Sequence, residues 1–352
     1  MSVFNDIQSF GHERVSIFQD QPSGLVAIIA LHDTVLGPAI GGCRMRPYAS
    51  FDEALVDVLK LSEGMTYKNS LCGLNIGGGK SVIIADPRMK EGREDLFRAF
   101  GRCVQTFGGR YFTAEDMGTS VRDMEWILET TEYVVGGDQQ HGGAGDPSPF
   151  TARGTFDGIR ACLERRFGTS SYQGKKVAIQ GVGHVGLFLA GHLHEAGAEL
   201  IVTDTEPDRI DHVVKKFGAK AVGVDEIYSV ECDVFAPCAI GGTLNSKTIG
   251  QLKCPIIAGA ANNQIGDDET VKIIQERKIM YAPDFAINAG GVILCSDELE
   301  EGGYKESRVN ERVSKIYNTV GSILDQAKES GEFTGDIAVK LAKERIERAR
   351  AA

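Results

Sequence analysis

The chain has 352 residues, enough for about two domains with a full core in each, and its 42% hydrophobic and 25% charged make-up is that of an ordinary soluble globular protein. A formal net charge of -11, from 49 acidic and 38 basic residues with no block of lysine or arginine, argues against a nucleic-acid partner and against an anionic membrane surface. Eight cysteines are scattered through apolar surroundings without a C-x-x-C pair or a histidine at ligand spacing, so they read as reduced core residues and no metal site is expected.

The start, Met1 to Asp6, lacks the basic and apolar regions of a signal peptide, and no apolar run is long enough to span a bilayer. A cytoplasmic location is expected. After a short N-terminal helix, His12 to Gln19 and Leu25 to His32 are two β-branched or aromatic runs around the turn signal Gln21-Pro22-Ser23-Gly24, and they predict a hairpin. Gly37-Pro38-Ala39-Ile40-Gly41-Gly42-Cys43-Arg44 reads as a glycine-rich loop. From Phe51 to about Lys68, Ala54, Leu55, Val58, Leu59, Leu61 and Met65 fall at helical spacing, which places Lys68 near a helix end.

The stretch Gly73-Leu74-Asn75-Ile76-Gly77-Gly78-Gly79-Lys80 reads as a glycine turn feeding a strand at Ser81–Ala85. Three glycines allow close approach of a ligand to backbone, and they make Lys80 a candidate reactive amine. Gly79-Lys80-Ser81 copies the end of a phosphate-binding P-loop, but Leu74 stands where that motif needs its first glycine and a strand follows where it needs a helix. The bland alternative is a turn with a solvated lysine. A helix at Arg93–Phe107 and a strand at Arg110–Ala114 continue an α/β layer with a parallel core. The strand ends in Thr113-Ala114-Glu115-Asp116, where ligands of open α/β sheets collect; the competing reading of Asp116 is a cap for a helix at Ser120–Thr130.

Gln139 to Pro149, rich in glycine and proline, is the best linker candidate. Beyond it, Lys175 to Gln180 is a buried-strand pattern, Gly181-Val182-Gly183-His184-Val185-Gly186 follows at once, and Leu187 to Ala196 is helical. Glu199 to Asp204 is a second strand ending in an acid, close to the spacing of about 20 residues expected of the group that binds a ribose 2′-OH. An acid there repels a 2′-phosphate, which favours NAD over NADP. A methyltransferase with a similar glycine turn is the alternative. His184 reads as an exposed helix-start residue. Strands at Asp233–Pro237, Ile256–Ala260 and Met280–Ala282 complete a doubly wound nucleotide domain, and two helices, Val309–Glu329 and Gly335–Ala352, close the chain.

Six or seven motifs in fixed order resemble the glutamate/leucine/phenylalanine/valine dehydrogenase family, most nearly its leucine branch, over essentially the whole chain. They are Gly64-Met65-Thr66-Tyr67-Lys68-Asn69, Gly77-Gly78-Gly79-Lys80, Thr113-Ala114-Glu115-Asp116, Pro147-Ser148-Pro149-Phe150-Thr151, the glycine turn at Gly181, Ala258-Gly259-Ala260-Ala261-Asn262-Asn263, and Ala282-Pro283-Asp284 with Asn288-Ala289-Gly290-Gly291. The resemblance implies an N-terminal α/β substrate and oligomerisation domain at 1–138 plus about 331–352, and a Rossmann NAD-binding domain at 139–330. It also implies a cleft between the two that closes on binding, a C-terminal helix returning to the first domain, and a homo-oligomer, octamer or dimer. Lys68 would hold the substrate carboxylate, Lys80 would be the catalytic lysine and Asp116 would exchange protons with the amino group. Gly41, Gly42 and Met65 would also touch substrate. Cofactor contacts would come from Thr151, Gly181, Val182, Gly183, His184, Val185, Gly186, Asp204, Cys238, Ala239, Asn262 and Asn288.

The implied reaction is oxidative deamination of an amino acid to its 2-oxo acid and ammonia, and the reverse. A lysine serves as base at neutral pH only if burial and neighbouring cations disfavour its ammonium form, and Asp116 should be tuned by the same surroundings. Matching positions for the side-chain pocket are Ile40, Ala114, Val292 and Cys295. Aromatic-specific relatives carry glycine at Ala114 and a longer residue at Val292, so branched aliphatic substrates are expected, with cysteine at 295 in place of an expected valine. An aromatic amino acid dehydrogenase and a catalytically silent NAD-binding regulator are the alternatives; Lys68, Lys80 and Asp116 together argue against the latter.

Overall fold

The computed structural model describes residues 3–137 and 143–352, so the expected boundary at 138/139 and the first four residues of the linker candidate lie outside the described residues. The chain divides into two compact units. Met1–Asp146, Leu294–Tyr304 and Ala342–Ala352 form the first; Pro147–Ile293 and Lys305–Leu341 form the second.

In the first unit, helix α1 (Val3–Phe10) precedes the expected hairpin, β1 (Arg14–Asp20) paired antiparallel with β2 (Leu25–Asp33). Two glycine-rich stretches depart from expectation. Gly41-Gly42 is no loop but the middle of strand β3 (Ala39–Arg46), and Gly77-Gly78-Gly79 is no turn but the first part of strand β4 (Gly77–Ile84), after helix α2 (Phe51–Leu71). The reason is steric. A Cβ at Gly77 would stand 2.2 Å from the Asp33 carbonyl oxygen, one at Gly78 would stand 2.1 Å from Thr66 N, and one at Gly41 would stand 1.6 Å from the Gly79 oxygen. The glycines serve close backbone approach, the second use of the residue, and not chain reversal.

Helix α3 (Arg93–Gln105), strand β5 (Tyr111–Glu115) and helix α4 (Val121–Leu128) follow. The five strands lie in the order β1-β2-β4-β3-β5, with β3 parallel to both β4 and β5 and β2 antiparallel to β4. Helix α2 covers one face, where Ala54, Leu55, Val58 and Leu59 meet Ile28, Ala30 and Val82. On the other face Leu96, Phe97 and Phe100 of α3 and Met124 and Ile127 of α4 meet Leu31, Cys43, Met45 and Ile83. Asn69 anchors α2 over the glycine strand by donating Nδ2 to the Gly77 oxygen at 2.7 Å.

The second unit opens with a helix that the linker reading hid. Helix α5 (Ser148–Phe167) has Pro149 within its first turn, where no intrahelical donor is lost. Then come β6 (Lys176–Gln180), α6 (His184–Glu195), β7 (Glu199–Thr203), α7 (Pro207–Phe217) and a two-residue edge strand β8 (Lys220–Ala221). Strands β9 (Val234–Pro237), β10 (Ile256–Ile257) and β11 (Met280–Tyr281), with helix α8 (Asp268–Glu276) between the last two, complete an all-parallel sheet in the order β11-β10-β9-β6-β7-β8. That is the doubly wound order, with its switch point between β6 and β9. Short helices α9 (Asp284–Ile287) and α10 (Gly290–Asp297) follow.

The first expected C-terminal helix is divided at Lys315 into α11 (Glu306–Ser314) and α12 (Ile316–Ser330). The last, α13 (Thr334–Ala351), ends in the first unit: Ser70 Oγ donates to the Ala342 oxygen at 2.7 Å, and Arg345 Nη1 donates to the Leu74 oxygen at 2.7 Å. Among the described residues no helix is long and apolar enough to cross a membrane.

Candidate active site

In the first unit Ile40 stands opposite Gly78 on β4 and Phe112 on β5, and Gly42 stands opposite Ala114. Ile40, Gly42 and Arg44 share one face of β3 by strand alternation, and Asp116 follows directly on the carboxyl end of β5. A Cβ at Gly42 would come 2.8 Å from Asp116 Cβ, so the glycine makes room for the aspartate. Lys80, only 6% exposed, places Nζ 3.0 Å from Asp116 Oδ2. The solvated-lysine alternative fails on that burial and pairing. The P-loop alternative fails as well: Ser81 continues the strand and its hydroxyl meets the Tyr111 hydroxyl at 3.0 Å.

Asp116 does not cap α4. Ser120 does, in a capping box with Asp123. The Asp116 backbone N–H instead donates to Thr119 Oγ1 at 2.9 Å, and Met45 N–H donates to the Met117 oxygen at 2.8 Å, which pins the loop to β3.

A residue missing from the sequence reading completes this cluster. Arg44 Nε donates to the same Asp116 Oδ2 at 3.1 Å, while its Nη1 reaches Asp57 of α2 at 3.2 Å. Tyr48 donates its hydroxyl to Asp57 at 2.7 Å. The signal is present in the sequence: Arg44 is a cation two residues past Gly42, on the same face of a stretch whose glycines predict a loop. The charge balance at Asp116 also differs from expectation. Burial alone would raise this carboxyl, but the Lys80 ammonium and the Arg44 guanidinium outweigh it and hold the group at about 2, a fixed anion at neutral pH.

Lys68 and Met65 lie in the second half of α2, the turn whose Thr66 backbone rests on Gly78. Cys295, at the other end of the chain, is brought to Gly136, where an added Cβ would be 3.2 Å from its Sγ. Nearby, Glu298 accepts from Gly136 N–H and Ala144 N–H at 3.0 and 2.8 Å, and its carboxyl is raised by burial against those two hydrogen bonds.

In the second unit the expected cofactor residues gather at the carboxyl ends of the strands. Gly181 has φ 94° and a Cβ there would be 2.8 Å from Ala239 N; one at Gly186 would be 2.1 Å from the Gly181 oxygen. At Gly183 the nearest atom to such a Cβ is 3.8 Å away, leaving an open cradle at the N-terminus of α6. These are the three glycine roles of a dinucleotide turn: tight turn, ligand approach and close packing. Val182 N–H donates to Asp204 Oδ2 at 2.8 Å, and Glu206 N–H donates to Oδ1 at 3.0 Å. Arg209, also absent from the sequence reading, lies 3.6 Å from Asp204. His184 is exposed at the first position of α6, as expected, and Val185 lies one step on.

Cys238 N–H donates to the Gln180 oxygen at 2.7 Å, which sets the loop after β9 beside the glycine turn. Asn288 Nδ2 donates to Asn262 Oδ1 at 2.7 Å, and the buried Asn288 Oδ1 has no partner among the described residues. That orphaned acceptor, the open cradle at Gly183 and the acid at Asp204 fit a dinucleotide. Thr151 stands in the first turn of α5, its Oγ1 3.0 Å from where a Cβ on Gly291 would be, so Thr151 and Gly291 are neighbours in this unit.

The sequence profile of the Glu/Leu/Phe/Val dehydrogenase dimerisation domain matches residues 12–133, and that of the Glutamate/Leucine/Phenylalanine/Valine dehydrogenase domain matches residues 198–352. The leucine dehydrogenase of Geobacillus stearothermophilus is 50% identical over 352 residues, covering 100% of this chain and 95% of its own. The valine dehydrogenase of Streptomyces virginiae is 44% identical, covering 97% of this chain and 95% of its own. The crystal structure of L-tryptophan dehydrogenase from Nostoc punctiforme superposes with a TM-score of 0.87 at 42% identity, covering 99% of this chain and 100% of that one. The chain therefore belongs to the Glu/Leu/Phe/Val dehydrogenase family and is an NAD(P)-dependent amino acid dehydrogenase of leucine dehydrogenase-like type.

Proposed function

We propose that this protein interconverts a branched-chain aliphatic L-amino acid (leucine, valine or isoleucine) with its 2-oxo acid and ammonia, using NAD, as a cytoplasmic homo-oligomer. The observation that carries the chemistry is the pair formed by buried Lys80, on a strand where three glycines precede it, and half-buried Asp116 after β5, 3.0 Å apart. Lys68 supplies a point charge for the substrate carboxylate. Asp116, an anion before substrate binds, receives the substrate ammonium, which then competes with Lys80 for the same carboxylate. Lys80, released from its ion pair, gives up a proton to solvent and becomes an amine able to take one from water. Asp116 takes a proton from the bound ammonium, and the neutral amine left behind loses hydride from Cα to become an iminium. Water attacks the iminium carbon as Lys80 takes its proton, and the protonated Lys80 stabilises the developing oxygen. Asp116 returns its proton to the nitrogen, which departs as the carbonyl forms and takes up the hydroxyl proton as ammonium.

Bound NAD supplies the acceptor for the hydrogen leaving Cα. Gly181, Val182, Gly183, His184, Val185 and Gly186 would cradle its phosphates with Cys238 and Ala239 beside them, Asp204 would take the adenosine ribose, and Thr151, Asn262 and Asn288 would hold the nicotinamide end. Asp204 supports NAD over NADP, since a 2′-phosphate would meet its carboxylate. The small or aliphatic character of Ile40 and Ala114, on adjacent strands of the first unit, and of Val292 and Cys295 supports an aliphatic substrate. One methyl on a pocket wall changes discrimination by about 1–3 kcal/mol.

The test is NADH oxidation with ammonia and a panel of 2-oxo acids. The 2-oxo acids of leucine, valine and isoleucine should be reduced with the highest kcat/KM; an aromatic 2-oxo acid ranking first would replace the substrate assignment. Equal efficiency with NADP would overturn the role given to Asp204.

A further inference from the structure

One polar chain in the first unit lies behind the reacting pair, and its members beyond Asp116 have no part in the proposed reaction. It begins at Asp116 Oδ2, which meets Lys80 Nζ at 3.0 Å and Arg44 Nε at 3.1 Å. It continues from Arg44 Nη1 to Asp57 at 3.2 Å and ends at the Tyr48 hydroxyl, which donates to Asp57 at 2.7 Å. The Arg44 side chain is only 12% exposed, so its charge is screened little by solvent. Its guanidinium is planar and donates from two edges in fixed directions, one towards Asp116 and one towards Asp57, an arrangement a lysine could not copy.

We propose, building on the roles assigned above to Lys80 and Asp116, that Arg44 is a positioning residue of the reaction. Held from behind by Asp57 and Tyr48, it fixes the Asp116 carboxylate so that Oδ2 faces the lysine and the second oxygen is left for the substrate amino group. Arg44 touches neither substrate nor cofactor in this scheme. It acts through Asp116, and the α2 helix acts through Arg44, because Asp57 is on that helix about two turns from Met65.

Among the described residues, the charged and titratable groups at the pair include Arg44 and the buried thiol of Cys43 on β3 and Tyr111 on β5, with Asp57 of α2 and Tyr48 behind Arg44 and Asp123 of α4 acting on Cys43. Cys43 and Tyr111 are both pushed upward by burial, to about 12 for the thiol and above the ordinary value for the phenol, so neither titrates in the working range. Arg44 contributes a cation in contact with Asp116, and Asp57 contributes the anion on the far side of that cation. The acid limb of a pH–rate profile reports the charge state of the site as a whole. Removing the Arg44 cation makes proton loss from the pair harder and moves that limb to higher pH. Removing the Asp57 anion moves it to lower pH.

The experiment compares wild type, Arg44→Lys, Arg44→Gln and Asp57→Asn in leucine oxidation with NAD across the pH range, with NAD binding by fluorescence as the check on folding. Arg44→Lys should lower kcat ~10-fold or more, with both KM values within about twofold of wild type and the limb in place, because charge remains and geometry is lost. Arg44→Gln should add an upward displacement of the limb by ~1 pH unit, and Asp57→Asn should displace it downward. A limb that stays still in Arg44→Gln, or a loss confined to KM, would overturn the proposal. Should the glutamine variant fail to bind NAD, the direction of the Asp57→Asn displacement decides, and no displacement overturns the idea. Absence of any amino acid oxidation in wild type would sink the underlying assignment of function instead, so the two failures are distinct.

Discussion

Gly78→Ala tests the steric account of the glycine strand. The added methyl would lie 2.1 Å from Thr66 N, 2.1 Å from Thr66 Oγ1 and 2.5 Å from Thr66 Cα. Ordinary contacts between heavy atoms fall at about 3.5–4.0 Å, so something must yield by more than ~1 Å. The hydroxyl can rotate away; the backbone cannot unless α2 lifts from the sheet. That helix is tied at this point by Asn69 to the Gly77 oxygen at 2.7 Å and by Thr66 Oγ1 to His32 Nδ1 at 2.9 Å. Overpacking of this kind costs about 1–3 kcal/mol or more, which at a urea slope of ~1–3 kcal/mol/M lowers the unfolding midpoint by roughly 1 M. Because Lys68 lies two residues beyond Thr66, the same shift displaces its ammonium, and a misplacement of ~1 Å can cost ~100-fold in rate. Gly64→Ala is the matched control within α2: nothing lies within 4 Å of its Cβ, and the helix should gain about 0.8–1.0 kcal/mol. Urea unfolding and leucine kcat/KM on both variants decide the matter. A Gly78→Ala protein with the wild-type midpoint and wild-type kcat/KM would refute the reasoning.

Three further outcomes are expected. Lys80→Ala should abolish turnover and leave NAD binding nearly intact by fluorescence titration; full activity would end the mechanism proposed. Ala114→Gly combined with Val292→Leu should move the preference from leucine toward phenylalanine in kcat/KM ratios, and an unchanged ratio would show that the pocket is misassigned. His12 is held down to about 4, from an ordinary 6.5, by burial and then by the neighbouring His32. Its folded-state value lies below the unfolded one, so between 6.5 and about 4 the unfolded chain binds the proton that the folded chain refuses, and stability falls as pH falls through that window. His12→Gln should flatten this part of the profile in urea unfolding at several pH values; an identical slope in the variant would contradict the assignment.

What could be read in the sequence was whatever depends on local periodicity. The hairpin at Arg14–Asp20 and Leu25–Asp33 was legible because β-branched runs flank a proline-glycine turn, and α2 because its apolar residues repeat at helical spacing. The Gly181 turn was legible because strand, turn and helix are contiguous in the chain. What escaped was decided by distant residues. Gly41 and Gly77 to Gly79 carry the composition of a turn, yet their role is set by the Asp33 carbonyl, by Thr66 and by one another across the sheet. Pro147-Ser148-Pro149 looks like linker and is a helix start, because proline is harmless where a helix has no donors to lose. Arg44 went unnoticed since its partners, Asp57 and Asp116, lie 13 and 72 residues away in the chain.

The glycine strand has a thermodynamic drawback that needs a reason. Glycine in a strand interior is worth roughly 0.5–1 kcal/mol less than alanine at each position. Five such residues, Gly41, Gly42, Gly77, Gly78 and Gly79, sit on two adjacent strands beneath α2, all buried. At Gly41, Gly77 and Gly78 the nearest obstruction to a Cβ is backbone, which no rotamer change can clear, and at Gly79 it is the Tyr111 ring at 2.9 Å. Packing alone could be satisfied by a helix set further from the sheet and by larger side chains between them. The close approach instead brings the Thr66 turn down onto β4 and leaves Lys80 as the first residue of that strand to carry a side chain. Beside it Gly42 clears the space that Asp116 fills. The short distance between Lys80 and Asp116 is therefore a product of what the neighbouring residues lack, and restoring a single methyl at Gly42 would press on Asp116 Cβ from 2.8 Å and push the carboxylate off its lysine.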